Sequence, residues 1–564
     1  MLLTANPARY LDVVTTGARA VPTVIRGDLL PPAGLLPRTV GALLRNGSTL
    51  ALLAELSAAR FPDRPAVIDE FGEISFAELH RRSSRIAGAL HDRYRIDASS
   101  TVAVLAGNHR HFVEALVACS RLGAELVFLN TELTGYQLSR ILDRHRPDLV
   151  IADDCFDSDL SGIPGFPRIT ALTGTNTSGR QHDVGTLDEL VAADAPAPPR
   201  ARRQGALTLL TSGTTGLAKG APRRTTLAGA LSTAGTALPV LSPTTDEVIY
   251  AAPPFFHGFG LGLVVAGLGL GATVVTRRRF DAAALLGDIE RHRVTLLPGV
   301  PTMLQRLLDL PPEQLAARDT SSVRLVLTGA APISAQLCRR IMNRFGPVLV
   351  NIYGSTELGP VSVAGPADLS TAPGTVGRPF AGVSVRILRP DRTSVGPGEI
   401  GTIFVSGPMQ FGGYSGTADK AKEVVDGHLN AGDLGRFDTE GRLFLVGRDD
   451  DMIVSGGENI FSSEVEDVLA AHPCVHEAAV VGVRDNELGN RVRAFVVLNS
   501  GVHGGTEPSL PELKEFTRSR IERYKAPREV AFLDELPRNA TGKVLRVRLR
   551  ELPEIELRFA RETT

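Results

Sequence analysis

The run Thr211-Ser-Gly-Thr-Thr-Gly-Leu-Ala-Lys219-Gly220 follows an apolar stretch, 206–210, that reads as a buried strand. Gly213 and Gly216 let a backbone approach a ligand closely. Thr211, Ser212, Thr214 and Thr215 offer hydroxyls, and Lys219 offers a positive charge. Backbone N–H groups, hydroxyls and an ammonium point charge together suit a polyphosphate. The loop is not a Walker A motif, because Lys219 stands three residues after Gly216 instead of next to it.

Upstream of this loop, short apolar runs alternate with helical patterns. Ser75-Phe-Ala-Glu78 reads as a capping box that opens a helix over 75–90. Runs 101–106, 125–129 and 149–152 read as buried strands, with a helix over 111–122 between the first two. That alternation implies βαβ units, a largely parallel sheet and the α/β class. A Pro/Ala-rich linker at 193–205 precedes a second α/β stretch over 206–370. From 374 to 445, short strands and Gly/Pro turns imply a small β-rich subdomain. Beyond 450 the pattern becomes helix (464–470), two strands (478–483, 492–498) and helix (510–523), a compact α+β domain. Residues 1–48, with Pro-Pro at 31–32, read as an irregular N-terminal extension.

Composition narrows the function. A chain of 564 residues exceeds one hydrophobic core, and 43% hydrophobic with 22% charged residues excludes a disordered or fibrous chain. A net charge of −1 argues against nucleic-acid binding. Four well-separated cysteines with no CxxC give neither a disulfide framework nor a zinc site, so a reducing, cytoplasmic setting is expected. The first residues lack the basic and apolar segments of a secretory signal. The uncharged run 259–276 raises the question of a membrane span, but its five glycines and terminal Thr-Val-Val-Thr read as a buried helix followed by a strand. Only six of 61 basic residues are lysines, so the chain uses arginine by default, and each lysine marks a place where a compact ammonium is wanted.

Seven further motifs follow in order. They are Pro254-Phe-Phe-His257-Gly, Thr328-Gly-Ala-Ala-Pro332, Tyr353-Gly-Ser-Thr-Glu357, Ala431-Gly-Asp433-Leu-Gly, Gly447-Arg448-Asp-Asp450, Ser455-Gly-Gly-Glu and Asn539-Ala-Thr-Gly-Lys543. Together with the 211–220 loop they resemble the adenylate-forming superfamily, which includes acyl-CoA synthetases, peptide-synthetase adenylation domains and luciferases. The resemblance spans about residues 50–550. It implies a large N-terminal domain over 49–447, a hinge over 448–451 centred on Asp450, and a small mobile C-terminal domain over 452–564.

The resemblance also implies roles. ATP would be held by the 211–219 loop, by Gly329, Ala330, Ala331 and Asn351, and by Tyr353 and Gly354 around adenine. Asp433 and Arg448 would take the ribose. Glu357 would hold Mg²⁺ and Thr356 would donate to the α-phosphate. Lys543 would bridge carboxylate and phosphate, where two anions must meet. His257 would border the acid, and Gly456 and Gly457 would serve thioester formation with CoA. Peptide synthetases carry an aspartate after the Phe of the acyl motif. Phe255-Phe256-His257-Gly258 has none, which disfavours an amino-acid substrate. Ser462-Ser463 stand where many members have a proline, and serine is expected to cap the following helix.

The reading is an acyl-CoA synthetase for a fatty or other apolar acid, with peripheral contact at the inner membrane face compatible with such a substrate. Two alternatives stay open at this point: a fatty acyl-AMP ligase that serves a carrier protein, and a non-catalytic nucleotide-binding regulator.

Overall fold

Strands of the large region are apolar on both faces. Leu149–Ala152 and Leu325–Gly329 are buried at every position, the mark of parallel strands covered by helices on both sides. The computed structural model describes residues 22–28, 33–163, 165–174, 185–201, 204–211, 219–223, 227–410, 422–455, 458–485, 488–499, 507–539 and 542–560.

Two such sheets build the large region. One has six strands, in the order Arg168–Thr170, Leu149–Ala152, Thr101–Leu105, Glu125–Phe128, Leu207–Thr211, Lys219–Arg223; only the last pairing is antiparallel. The other has nine strands and a parallel centre that runs from Pro65–Asp69 through Thr273–Val275, Val248–Tyr250, Leu296–Gly299 and Leu325–Gly329 to Leu349–Ser355. Phe112 stacks on Phe128 at 5.5 Å and meets Phe255 edge-on at 5.4 Å, so one aromatic cluster joins the two α/β units beneath the acyl motif. The β-rich subdomain is a five-stranded sheet that includes the long strand His428–Phe437. The C-terminal unit packs Ser462–Ala470 and Leu510–Arg518 on a four-stranded sheet with its own core.

The run 259–276 is the helix Gly258–Leu270, a turn at Gly271, and the strand Thr273–Val275. Its glycines serve two ends. A Cβ at Gly260 would lie 2.1 Å from the Pro254 carbonyl oxygen, so the helix can sit tight on the acyl motif only with glycine there. At Gly262 nothing lies within 4 Å, because that position faces a cavity. Among the described residues, no helix is long and apolar enough to cross a membrane.

Four local expectations need correction. Residues 36–46 are helical, not irregular: Leu36–Asn46 starts with a proline in its first turn and stops at Gly47. Asn46 is buried and anchors it, donating to Glu55 at 2.6 Å and accepting from Arg121 at 2.8 Å. Ser75 does accept from the Glu78 N–H, but the Glu78 carboxylate turns to Arg81 and leaves the box half made. The last large helix stops at Arg518, and a separate 3-10 turn, Arg523–Lys525, carries Lys525 to Glu522 and Glu464. Ser462 and Ser463 do not cap their helix; they donate to the Asp451 and Val446 carbonyls and tie the helix to the connection between domains.

Candidate active site

The C-terminal ends of the central strands open into a single large cavity of about 1870 Å³. Gly329 closes its strand beside Ile352, whose carbonyl oxygen would be 2.7 Å from any Cβ there. The turn that follows forces Ala330 to φ +66°, a left-handed conformation that costs an alanine about 1 kcal/mol. Ala331 continues the turn along the cavity wall. Asn351, one strand over, is buried and donates to the Thr375 carbonyl at 3.0 Å.

Tyr353 leaves the same strand and donates its hydroxyl to Asp433 at 2.5 Å. Asp433 lies on His428–Phe437 in register with Arg448 of the neighbouring strand, with 3.8 Å between their charged groups. Burial pushes the Asp433 carboxyl up, against the Tyr353 hydrogen bond and the charges of Arg448 and Lys543. A ligand hydroxyl that donates to Asp433 would therefore be welcomed, since it favours the charged form. Burial, then Asp433, also raises the Tyr353 phenol well above its usual range, so it remains a donor.

Lys543 comes from the C-terminal unit into the same cavity. Its backbone N–H donates to Asn539 at 2.9 Å, and Arg538 donates to the Gly542 carbonyl at 2.8 Å. Gly542, at φ +75°, seats this turn on the large region: a Cβ there would lie 2.4 Å from Thr302 Oγ1. His476 faces Asp309 at 3.4 Å across the same junction. Burial, then the Arg448 charge, pushes the Lys543 ammonium down.

Thr356 and Glu357 occupy the hairpin tip between Leu349–Ser355 and Gly359–Ala364, which Gly354 permits by lying against the Gly359 carbonyl at 2.3 Å from its Cβ position. The Glu357 carboxylate is 3.7 Å from Lys422, a residue the motif reading missed. The rarity of lysine could have flagged it. Among the described residues no three His, Cys, Asp or Glu side chains cluster as a metal cage. A single carboxylate beside phosphates still fits Mg²⁺, which keeps its waters and shares ligands with the nucleotide.

His257 caps the Gly258–Leu270 helix, its Nδ1 accepting from Phe259 at 3.4 Å. Burial pushes its imidazole down, so it is neutral at pH 7. Its loop is held by Asn108, a second residue missed from sequence because nothing local distinguishes it. Buried Asn108 accepts from the Phe255 N–H at 2.8 Å and donates to the Pro253 carbonyl at 3.0 Å. Asn108→Ala is expected to cost about 1–3 kcal/mol by leaving these groups unpaired. Thermal unfolding checks that cost. A KM that rises for the acid and not for ATP would mark Asn108 as a positioning residue of the acyl loop.

Ser212, Gly213, Thr214, Thr215 and Gly216 lie outside the described residues, as do Gly456 and Gly457. Of Thr211 and Lys219 the backbone is described: they face each other as the last pair of an antiparallel ladder. Ser455 likewise pairs with Glu458. Asp450 is placed within the 3-10 turn Asp449–Asp451.

Two α/β sheets, a β-rich subdomain and a small α+β unit that brings a lysine into the shared cleft define an adenylate-forming enzyme. The model of the AMP-binding enzyme family matches residues 54–415, and that of the AMP-binding enzyme C-terminal domain matches 464–543. The chain belongs to the AMP-binding enzyme family and is an AMP-forming acid–thiol ligase. It is 35% identical over 510 residues to a methyl-dioxo-octahydroindenyl propanoyl:CoA ligase of Mycobacterium tuberculosis, covering 87% of this chain and 96% of that one. It is 32% identical over 521 residues to a fatty acid–[acyl-carrier-protein] ligase of Streptomyces coeruleorubidus, covering 89% and 96%. Its fold matches the o-succinylbenzoate CoA synthetase of Bacillus subtilis, solved with its acyl-adenylate intermediate, at a TM-score of 0.75 and 31% identity, over 89% of this chain and 98% of that one.

Proposed function

We propose that the chain activates a fatty or other apolar carboxylic acid as its acyl-adenylate and transfers the acyl group to CoA. One observation carries this reading: Lys543 of the C-terminal unit shares a cavity with Asp433, Arg448 and His257, and beyond His257 the same cavity is lined by apolar residues of the helix Gly258–Leu270. In the first step a carboxylate oxygen attacks the α-phosphorus of ATP, an O–P bond forms, and pyrophosphate leaves. Lys543 reduces the repulsion between the two anions, and Thr356 donates to the phosphate. Asp433 accepts from the ribose hydroxyls. Glu357 would hold Mg²⁺, which when bound supplies neutralising charge to the phosphates. In the second step the CoA sulfur attacks the acyl carbon and AMP departs with the electron pair. The C-terminal unit would turn about residues 448–451 between the steps, withdrawing Lys543 and presenting Gly456 and Gly457.

The test is pyrophosphate release from ATP across a panel of acids, followed by a search for acyl-CoA once CoA is added. An adenylate that accumulates despite CoA would favour transfer to a carrier-protein thiol, a reading that the likeness to the Streptomyces ligase keeps in play.

The depressed Lys543 predicts a pH effect. A lysine whose pKa is lowered loses its charge at lower pH, so kcat/KM for ATP should fall with rising pH before the ordinary lysine range is reached. Arg448→Gln removes a repelling charge and should move that alkaline limb upward. A limb that stays in place would take Lys543 out of the adenylation step.

A further inference from the structure

The apolar part of the cavity also takes in a charged pair, Glu247 and Arg324. Its walls are the helices Leu227–Leu241 and Gly258–Leu270 and the strands Val248–Tyr250, Leu296–Gly299 and Leu325–Gly329. Gly329 and Arg324 both line it, a span of about 17 Å along an extended strand. His257 and Leu270 also both line it, a span of about 20 Å along the helix. Between these ends the lining is apolar, with Leu238, Ile249, Leu296 and Leu327 among its residues.

Glu247, at the far end of these spans from Gly329, is 2% exposed. Its carboxylate accepts from Arg324 Nε at 2.8 Å, from Arg324 Nη2, from the Thr244 N–H at 3.0 Å and from the Thr295 hydroxyl. Arg324 Nη1 donates to the Leu241 carbonyl at 2.8 Å. These bonds reach both carboxylate oxygens but, among the described residues, engage only three of the guanidinium donors; 33% of the Arg324 side chain is exposed, and the residue lines the cavity.

We propose that the acid is long and mainly apolar, and that it carries a neutral hydrogen-bond-accepting oxygen, keto or hydroxyl, at the end remote from the activated carboxyl, where Arg324 reads it. The inference rests on the acyl-CoA synthetase reading above. A plain methyl end would shield the open guanidinium N–H groups from water without replacing their hydrogen bonds. A second carboxylate would meet the Glu247 charge.

The experiment measures kcat/KM for pyrophosphate release with dodecanoate and tetradecanoate, with their ω-hydroxy, ω-oxo and ω-carboxy counterparts, and with a fused-ring acid of similar length bearing a distal ketone. At least one neutral oxygenated acid should exceed both the plain acid and the diacid by about tenfold or more. Arg324→Lys, which keeps a charge beside Glu247 but withdraws the planar donors, should erase that preference. Gly262→Leu, whose side chain enters open channel and whose helix tolerates it, should cut kcat/KM for the long acids by about tenfold or more relative to short ones. Equal rates for plain and oxygenated acids, a preference that survives in Arg324→Lys, or turnover confined to short acids would overturn the proposal and leave the ligase reading standing. Failure of every acid to release pyrophosphate would instead overturn the ligase reading.

Discussion

Lys543→Ala is expected to slow acid-dependent pyrophosphate release by about 10²–10³-fold, the cost of removing one preorganised donor from developing charge. Thioester formation from supplied acyl-adenylate should change little. The asymmetry follows from where the lysine is held. Its turn is anchored by Asn539 and Arg538 within the C-terminal unit and seated on Thr302 of the large region. The rotation of that unit proposed above would remove the ammonium from the cleft, and the second half-reaction would proceed without it. Lys543→Arg should rescue poorly. The site is crowded by Arg448, and the planar guanidinium places its charge differently from a compact ammonium. In a chain that fills all but six of its 61 basic positions with arginine, lysine at this position is itself a sign of that requirement. The half-reactions are measured separately, as pyrophosphate release and as AMP released from acyl-adenylate on addition of CoA. Equal losses in both would contradict the assigned role.

Patterns carried by neighbouring residues were legible in the sequence. The run 101–106 after its first residue, and the run 149–152, are apolar because their strands are covered on both faces. The glycine-rich run 259–276 resolves into a helix and a strand because its length and its Thr-Val-Val-Thr end suit neither element alone. Motif residues converge for the same reason: Gly329, Tyr353 and Asp433 stand at strand ends or registers that short-range patterns specify. Features that depend on distant partners were not legible. Asn108 acts on the 253–255 loop, Glu247 meets Arg324, and Lys422 meets Glu357. Nothing near any of these residues in sequence reports its partner. Ser462 and Ser463 show the same limit on a smaller scale. A serine before a helix favours a cap, but here the carbonyls of Asp451 and Val446 compete for the hydroxyls and take them.

Glu357→Gln is expected to lower pyrophosphate release by about 10²-fold and to raise the Mg²⁺ concentration needed for half-maximal rate, since an amide oxygen is a weaker partner than a carboxylate for a hard cation. The neighbouring ammonium sharpens this test. Lys422 is 3.7 Å from the Glu357 carboxylate and donates to the Ala431 carbonyl at 3.4 Å, so it is held beside the group that a metal would use. An ammonium and a divalent ion both seek that negative charge. Lys422→Met should therefore lower the Mg²⁺ requirement, opposite in sign to Glu357→Gln. Calorimetric titration of Mg²⁺ into the ATP-bound enzyme reads the same difference without turnover. If both variants raise the requirement, Lys422 acts on the phosphates alongside the metal and does not compete with it. If neither moves it, Glu357 does not hold the ion, and its carboxylate must then serve to fix Lys422 against the nucleotide.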